Sequence, residues 1–86
     1  MYYVYVLRSI SSGRLYTGYT ENLRKRLSEH VEKKSKYTKH RGPYELIYYE
    51  ASKHRYDAMA REIYLKSGMG KRYLRNRMKR FFSSVS

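Results

Sequence analysis

The apolar positions open with an unbroken run, Tyr2-Tyr3-Val4-Tyr5-Val6-Leu7. Its aromatic and β-branched residues predict a strand. Ser11-Ser12-Gly13 supplies turn chemistry, and Arg14 to Gly18 is short enough to return as the hairpin partner. Leu23, Leu27 and Val31 then recur at helical spacing, which predicts a helix over 21–33 with Thr20 as its N-cap and Glu21 in its first turn. Lys34 to Tyr44 reads as a basic loop closed by Gly42-Pro43, and Glu45-Leu46-Ile47-Tyr48-Tyr49-Glu50 as a third strand. A second helix fits 55–67, stopped by Ser67-Gly68-Met69-Gly70, and a last helix fits Lys71 to Phe82. The order β-β-α-β-α-α makes an α+β fold, a small three-stranded antiparallel sheet flanked by helices. One domain over 1–82 and a disordered tail over 83–86 complete the expected organisation.

Composition narrows the picture. At 86 residues the chain can bury one modest core, and with no cysteine it has no disulfide or cysteine-held metal to staple it. Its longest apolar run is far too short for a membrane span, so no membrane partner is expected and the expected location is cytoplasmic. Twenty Lys and Arg stand against seven Asp and Glu, a formal net charge of +13, and no acid follows Glu62. That imbalance points to a polyanionic partner: DNA first, RNA as an alternative, anionic lipid or an acidic protein behind them. Two clusters are the candidate phosphate contacts. Lys33, Lys34, Lys36, Lys39 and Arg41 fill the loop, and Lys71, Arg72 and Arg75 open the last helix.

Some polar residues sit where an amphipathic pattern would not put them. Arg26 and His30, four apart, flank the apolar stripe of the first helix. Either Arg26 lays its stem on the core and snorkels outward, or it faces a site. On the second helix Tyr56, Met59 and Ile63 read as the core stripe and Asp57–Arg61 as an exposed ion pair. Glu62 then falls between Met59 on one side and Ala58 and Leu65 on the other, partly buried. Two readings stay open for it: an i,i+4 pair with Lys66, or a ligand for a hard cation. Twelve tyrosines are the third oddity. Tyr3 and Tyr5 share one strand face and Tyr16 lies on the next strand; such phenols can orient or deprotonate water if a nearby cation lowers their pKa. The three histidines lack metal-ligand spacing, and there is neither a Ser/His/Asp pattern nor a phosphate-binding glycine loop. With Glu62 as the one unusual carboxylate, two-metal chemistry is disfavoured.

Tyr3-Val4-Tyr5 and Tyr16-Thr17-Gly18 resemble the paired tripeptides that name the GIY-YIG nucleases. Asn22 to His30 is similar to that family's first helix, with the motif arginine on Arg26. Lys36-Tyr37-Thr38, Pro43, Leu46 to Ala51 and Ala60 to Lys66 resemble its compact, stand-alone bacterial branch, a relative of the nuclease domain of excision-repair endonucleases. The name's first glycine is replaced by Tyr3, and its isoleucines by Val4 and Thr17. The resemblance implies an endonuclease that hydrolyses DNA phosphodiester bonds with one Mg²⁺ or Mn²⁺ ion held by Glu62. Arg26 would stabilise the transition state, and Tyr5 or Tyr16 would activate the attacking water while the other positions it. His30 would orient a phosphate or take a proton. Branched, damaged or single-stranded DNA is the expected substrate. The rival from another class is a non-catalytic DNA- or RNA-binding module that retains the fold.

Overall fold

The computed structural model describes residues 1–31 and 43–85. The basic-loop candidates Lys33, Lys34, Lys36, Lys39 and Arg41 therefore lie outside the described residues. Strand β1 (Tyr2–Ser9) pairs antiparallel with β2 (Leu15–Thr20) on one side and β3 (Tyr44–Ser52) on the other, giving the sheet order β2-β1-β3. The central position explains why the opening run does not alternate. Covered on both faces, β1 buries Val4, Tyr5, Val6 and Leu7 in succession. Val4 and Val6 form the main core with Ala58, Leu65 and Leu74, while Tyr5, Leu7 and Ser9 turn to the opposite face. A register shift between Val6 and Leu7 loops out one β3 residue.

Helix α1 (Leu23–Val31) covers the Tyr5 face, whereas α2 (Arg55–Lys66) and α3 (Gly68–Arg77) cover the Val4–Val6 face. Asn22, not Thr20, caps α1: its Oδ1 accepts from the Lys25 amide at 3.1 Å. Thr20 is still in β2, paired with Tyr3, and its Oγ1 accepts from the Asn22 amide to tighten the strand-to-helix turn. Glu21 precedes the helix and faces Arg55 at 3.8 Å.

The α2 stripe is the largest departure from expectation. Tyr56 and Ile63 are 70% and 72% exposed, and the buried positions are Ala58 and Leu65. Ala58 and Leu65 lie on a different side of the helix from the expected Tyr56–Met59–Ile63 stripe. The side that docks carries the small Ala58, which lets the helix approach the sheet, and places Arg61 against β3. Arg61 accordingly pairs with Glu50, Nε to Oε1 at 2.5 Å, rather than with Asp57. Its guanidinium also lies over Tyr64 and Tyr73 at 5.0 and 5.2 Å, and the Glu50 hydrogen bond raises its pKa further.

The Ser67–Gly70 segment is a corner, not a loop. Ser67 ends α2 and caps α3, its Oγ accepting from the Gly70 amide at 3.1 Å. Gly70 is required for close approach, because a Cβ there would overlap the Tyr64 carbonyl. The expected last helix is broken. α3 stops at Arg77, Met78 leaves helical geometry at φ −118° and ψ 41° while packing against the core, and α4 (Lys79–Ser84) follows. α4 thus carries helical backbone two residues into the tail expected to be disordered. Among the described residues no helix is long and apolar enough to cross a membrane.

Candidate active site

A cavity of about 540 Å³ runs along the open edge of β2. Five consecutive residues, Leu15 to Tyr19, line it; since their side chains alternate between faces, only the free strand edge can bring all five to one space. Tyr5 reaches it from β1, Arg26 from α1, Glu62 and Lys66 from α2, and Lys71 from α3. The register explains how the centrally placed Tyr5 gets there. Tyr5 is directly opposite Gly18, and a Cβ on Gly18 would overlap the Tyr5 ring at Cζ and the hydroxyl. The missing side chain is the space the phenol occupies.

Behind the cavity, His30 is buried at 6% exposure, with its Nε2 3.2 Å from the Tyr5 hydroxyl. Tyr5, Tyr16 and His30 form an aromatic triangle with ring centroids 5.5 to 6.5 Å apart. Burial, then the neighbouring Tyr16, push the Tyr5 hydroxyl well above the usual phenol range; Arg26 opposes them. Burial, then Arg26, lower the His30 pKa, so the imidazole is neutral at neutral pH, although Glu29 pulls the other way. Arg26 itself pairs with Glu29 at 3.4 Å on the same helix.

Glu62 is the carboxylate among the described residues that line the cavity, partly buried at 23% side-chain exposure and 3.1 Å from the more exposed Lys66. The ion pair and the cavity-facing position, open alternatives in the sequence, coexist. A hard divalent cation needs oxygen donors and is commonly held by one or two carboxylates with several waters retained. Glu62 supplies one such oxygen donor at the wall of a cavity with room for the waters the ion keeps, and no cluster of three or more His, Cys, Asp or Glu is found among the described residues.

Tyr5, Tyr16, Arg26 and Glu62, taken from the sequence as candidates, thus line one space with His30 directly behind. Lys71 lines it too; Arg72 and Arg75 do not. Sequence reasoning missed Lys66 as a cavity residue, treating it only as a partner of Glu62. Its place one turn after Glu62 on the same helix was the available signal.

The chain matches the family model of the GIY-YIG catalytic domain over residues 1–79. It is 43% identical over 67 residues to the UPF0213 protein CPE1444 of Clostridium perfringens, an alignment covering 77% of this chain and 71% of that protein. It is 44% identical over 66 residues to the UPF0213 protein OB0043 of Oceanobacillus iheyensis, covering 76% of each. The fold is similar to the solution structure of the UPF0213 protein BH0048 from Bacillus halodurans, with a TM-score of 0.57 and 35% identity over 91% of this chain and 86% of that one. GIY-YIG domains are nuclease domains that act on nucleic acid and generally use a divalent metal. The chain belongs to the GIY-YIG catalytic-domain family.

Proposed function

We propose that the protein is an endonuclease that hydrolyses DNA phosphodiester bonds with one Mg²⁺ or Mn²⁺ ion, on branched, damaged or single-stranded DNA. The observation that supports this best is the convergence of Tyr5, Tyr16, Arg26 and Glu62, from four different elements, on one open cavity. Glu62 would hold the ion, which when bound would supply Lewis-acid stabilisation of the phosphoryl oxygens. Arg26 presents its fork of donors to the charge that develops on the phosphate.

The tyrosines take different parts. A phenol whose pKa is raised is a poor base alone, but Tyr5 contacts a neutral imidazole. As water attacks phosphorus, its proton passes to the Tyr5 oxygen while the Tyr5 hydroxyl proton passes to His30 Nε2. The P–O bond to the leaving oxygen breaks, solvent protonates that oxygen, and the imidazolium returns its proton to water. Arg26 helps to keep His30 unprotonated before the reaction. Tyr16, which is partly exposed, positions the water or a phosphate oxygen.

The test compares wild type, Glu62→Ala and Arg26→Ala on supercoiled plasmid and on branched DNA, with Mg²⁺, Mn²⁺ or EDTA. The nuclease reading expects metal-dependent nicking by wild type alone. No cutting by wild type, or equal cutting by both variants, would favour the non-catalytic binding module instead.

A further inference from the structure

The cavity holding Glu62 does not end at Tyr16. Leu15, Tyr16 and Lys71 also line a second, larger cleft of about 740 Å³. Its other walls are the β1–β2 turn from Ser9 to Arg14, Tyr44, and Arg75 one turn beyond Lys71 on α3. Three cations, Arg14, Lys71 and Arg75, line this cleft with no carboxylate among the described lining residues. Arg72, on another side of the same helix, is not part of it.

The turn is built as a wall. Gly13 at φ +76° lets it close, and three of its amides are spent internally: Ser12 N–H on Ser9 Oγ at 3.2 Å, Gly13 N–H on the Ser9 carbonyl at 2.8 Å, Arg14 N–H on Ser12 Oγ at 3.2 Å. These three donors are therefore not what the cleft offers an anion. It offers guanidinium and ammonium groups with serine and tyrosine hydroxyls beside them. Because Lys71 is common to both spaces, a ligand filling both carries negative charge at intervals along its length. A nucleic-acid backbone does so; an isolated small anion fills one space only.

We propose that this cleft is a phosphate subsite for the substrate strand, in which Arg14, Lys71 and Arg75 hold backbone phosphates of the strand whose scissile phosphate lies between Arg26 and Glu62. The proposal rests on the nuclease reading and extends it. Its contacts are to phosphate, so they set the strand's path without reading its sequence.

Binding is measured in EDTA by fluorescence anisotropy, using a fluorescein-labelled DNA duplex with a single-stranded flap across a salt series. Arg14→Ala and Arg75→Gln each make the log Kd against log salt slope shallower by about 0.7–0.9, one phosphate's worth. Extrapolated from about 1 M salt, that is a five- to eight-fold weaker complex at about 0.1 M. Lys53→Ala, at the opposite end of the sheet from the turn, keeps the wild-type slope, and Arg14→Lys restores it. Arg75 also lies over Phe82 at 5.1 Å, so far-UV CD and a thermal melt accompany its variant, with Arg75→Lys as the charge-retaining control. With metal present, the cleft variants raise KM and leave kcat unchanged. Wild-type slopes in both cleft variants, an equal loss in Lys53→Ala, or no DNA binding by wild type would overturn the subsite. If the slopes shift as expected yet wild type never cuts, the nuclease reading fails and the phosphate subsite stands.

Discussion

Replacing Gly18 by alanine tests the central geometric claim about the site. The backbone of Gly18 is not in the left-handed region, so alanine fits its conformation. At such a position Gly→Ala ordinarily stabilises by about 0.4–1 kcal/mol through the unfolded chain. Here the added methyl meets the Tyr5 ring, which is 1% exposed and hydrogen-bonded to His30, so it cannot swing aside without leaving its partner. Overpacking of this kind costs about 1–3 kcal/mol. The expected net effect is destabilisation, with each kcal/mol lowering Tm by about 4–8 °C for a domain of this size. Urea denaturation followed by far-UV CD gives the free energy, with an unchanged m-value confirming that the native state alone has moved. Tyr5→Leu removes the obstructing end of the ring and carries its own cost, but in its background Gly18→Ala becomes neutral or stabilising. The double-mutant cycle should therefore show coupling above about 0.5 kcal/mol. A Gly18→Ala variant as stable as wild type, or a purely additive cycle, would refute the account of how Tyr5 reaches the cavity.

Other outcomes follow from the same structure. His30 has a folded-state pKa below its unfolded value near 6.5, so the unfolded chain binds the extra proton first. Its contribution is complete above about pH 6.5 and is lost as pH falls toward the folded pKa, with a slope of at most about 1.4 kcal/mol per pH unit; His30→Asn flattens that part of the urea-derived profile. Arg61→Ala leaves Glu50 with Tyr48 as its remaining hydrogen-bond partner and unstacks two rings, costing about 1–3 kcal/mol by thermal melt, and Arg61→Lys recovers only part because it lacks the fork. Lys66→Ala breaks an i,i+4 pair between an exposed lysine and a partly buried glutamate and shifts stability by only about 0.2–0.5 kcal/mol, while the proposed ion site at Glu62 should give tighter Mn²⁺ binding by calorimetry once the competing ammonium is gone.

The features legible in the sequence were those where residue type conflicted with local pattern. Arg26, His30 and Glu62 stood out because a simple amphipathic helix has no use for them at those angles, and all three lie at or against the cavity. The strands and their order were legible because β1 is rich in residues suited to a two-sided strand and the turns carry glycine, serine and proline. Which stripe of α2 docks was not legible. Tyr56, Met59 and Ile63 carry more apolar area than Ala58 and Leu65, yet the docked side is chosen by how closely a small residue lets the helix approach and by the Glu50 partner waiting on β3. Thr20 and Asn22 are both good caps, and only the length of β2 decides between them. The break at Met78 depends on where the core lies, which no helix propensity encodes. Arg14 was invisible for a related reason: an arginine in a hairpin turn is ordinary until the turn is found lining one cleft with Lys71 and Arg75.

The corner at Ser67 has a mechanical consequence. One residue terminates α2 and starts α3, its hydroxyl and amide both tied to the Tyr64 carbonyl and its own carbonyl to the Lys71 amide, while Gly70 locks the two helices in contact. No slack joins the two helices, so Glu62 and Lys66 before the corner and Lys71 and Arg75 after it move as parts of a single bracket. The bracket acts as a gauge. The interval between the carboxylate and the cations is set by the protein, and a strand whose phosphates are spaced otherwise must bend to match it. Lengthening the corner by a residue would leave every side chain in place on its own helix and still put the gauge out of scale.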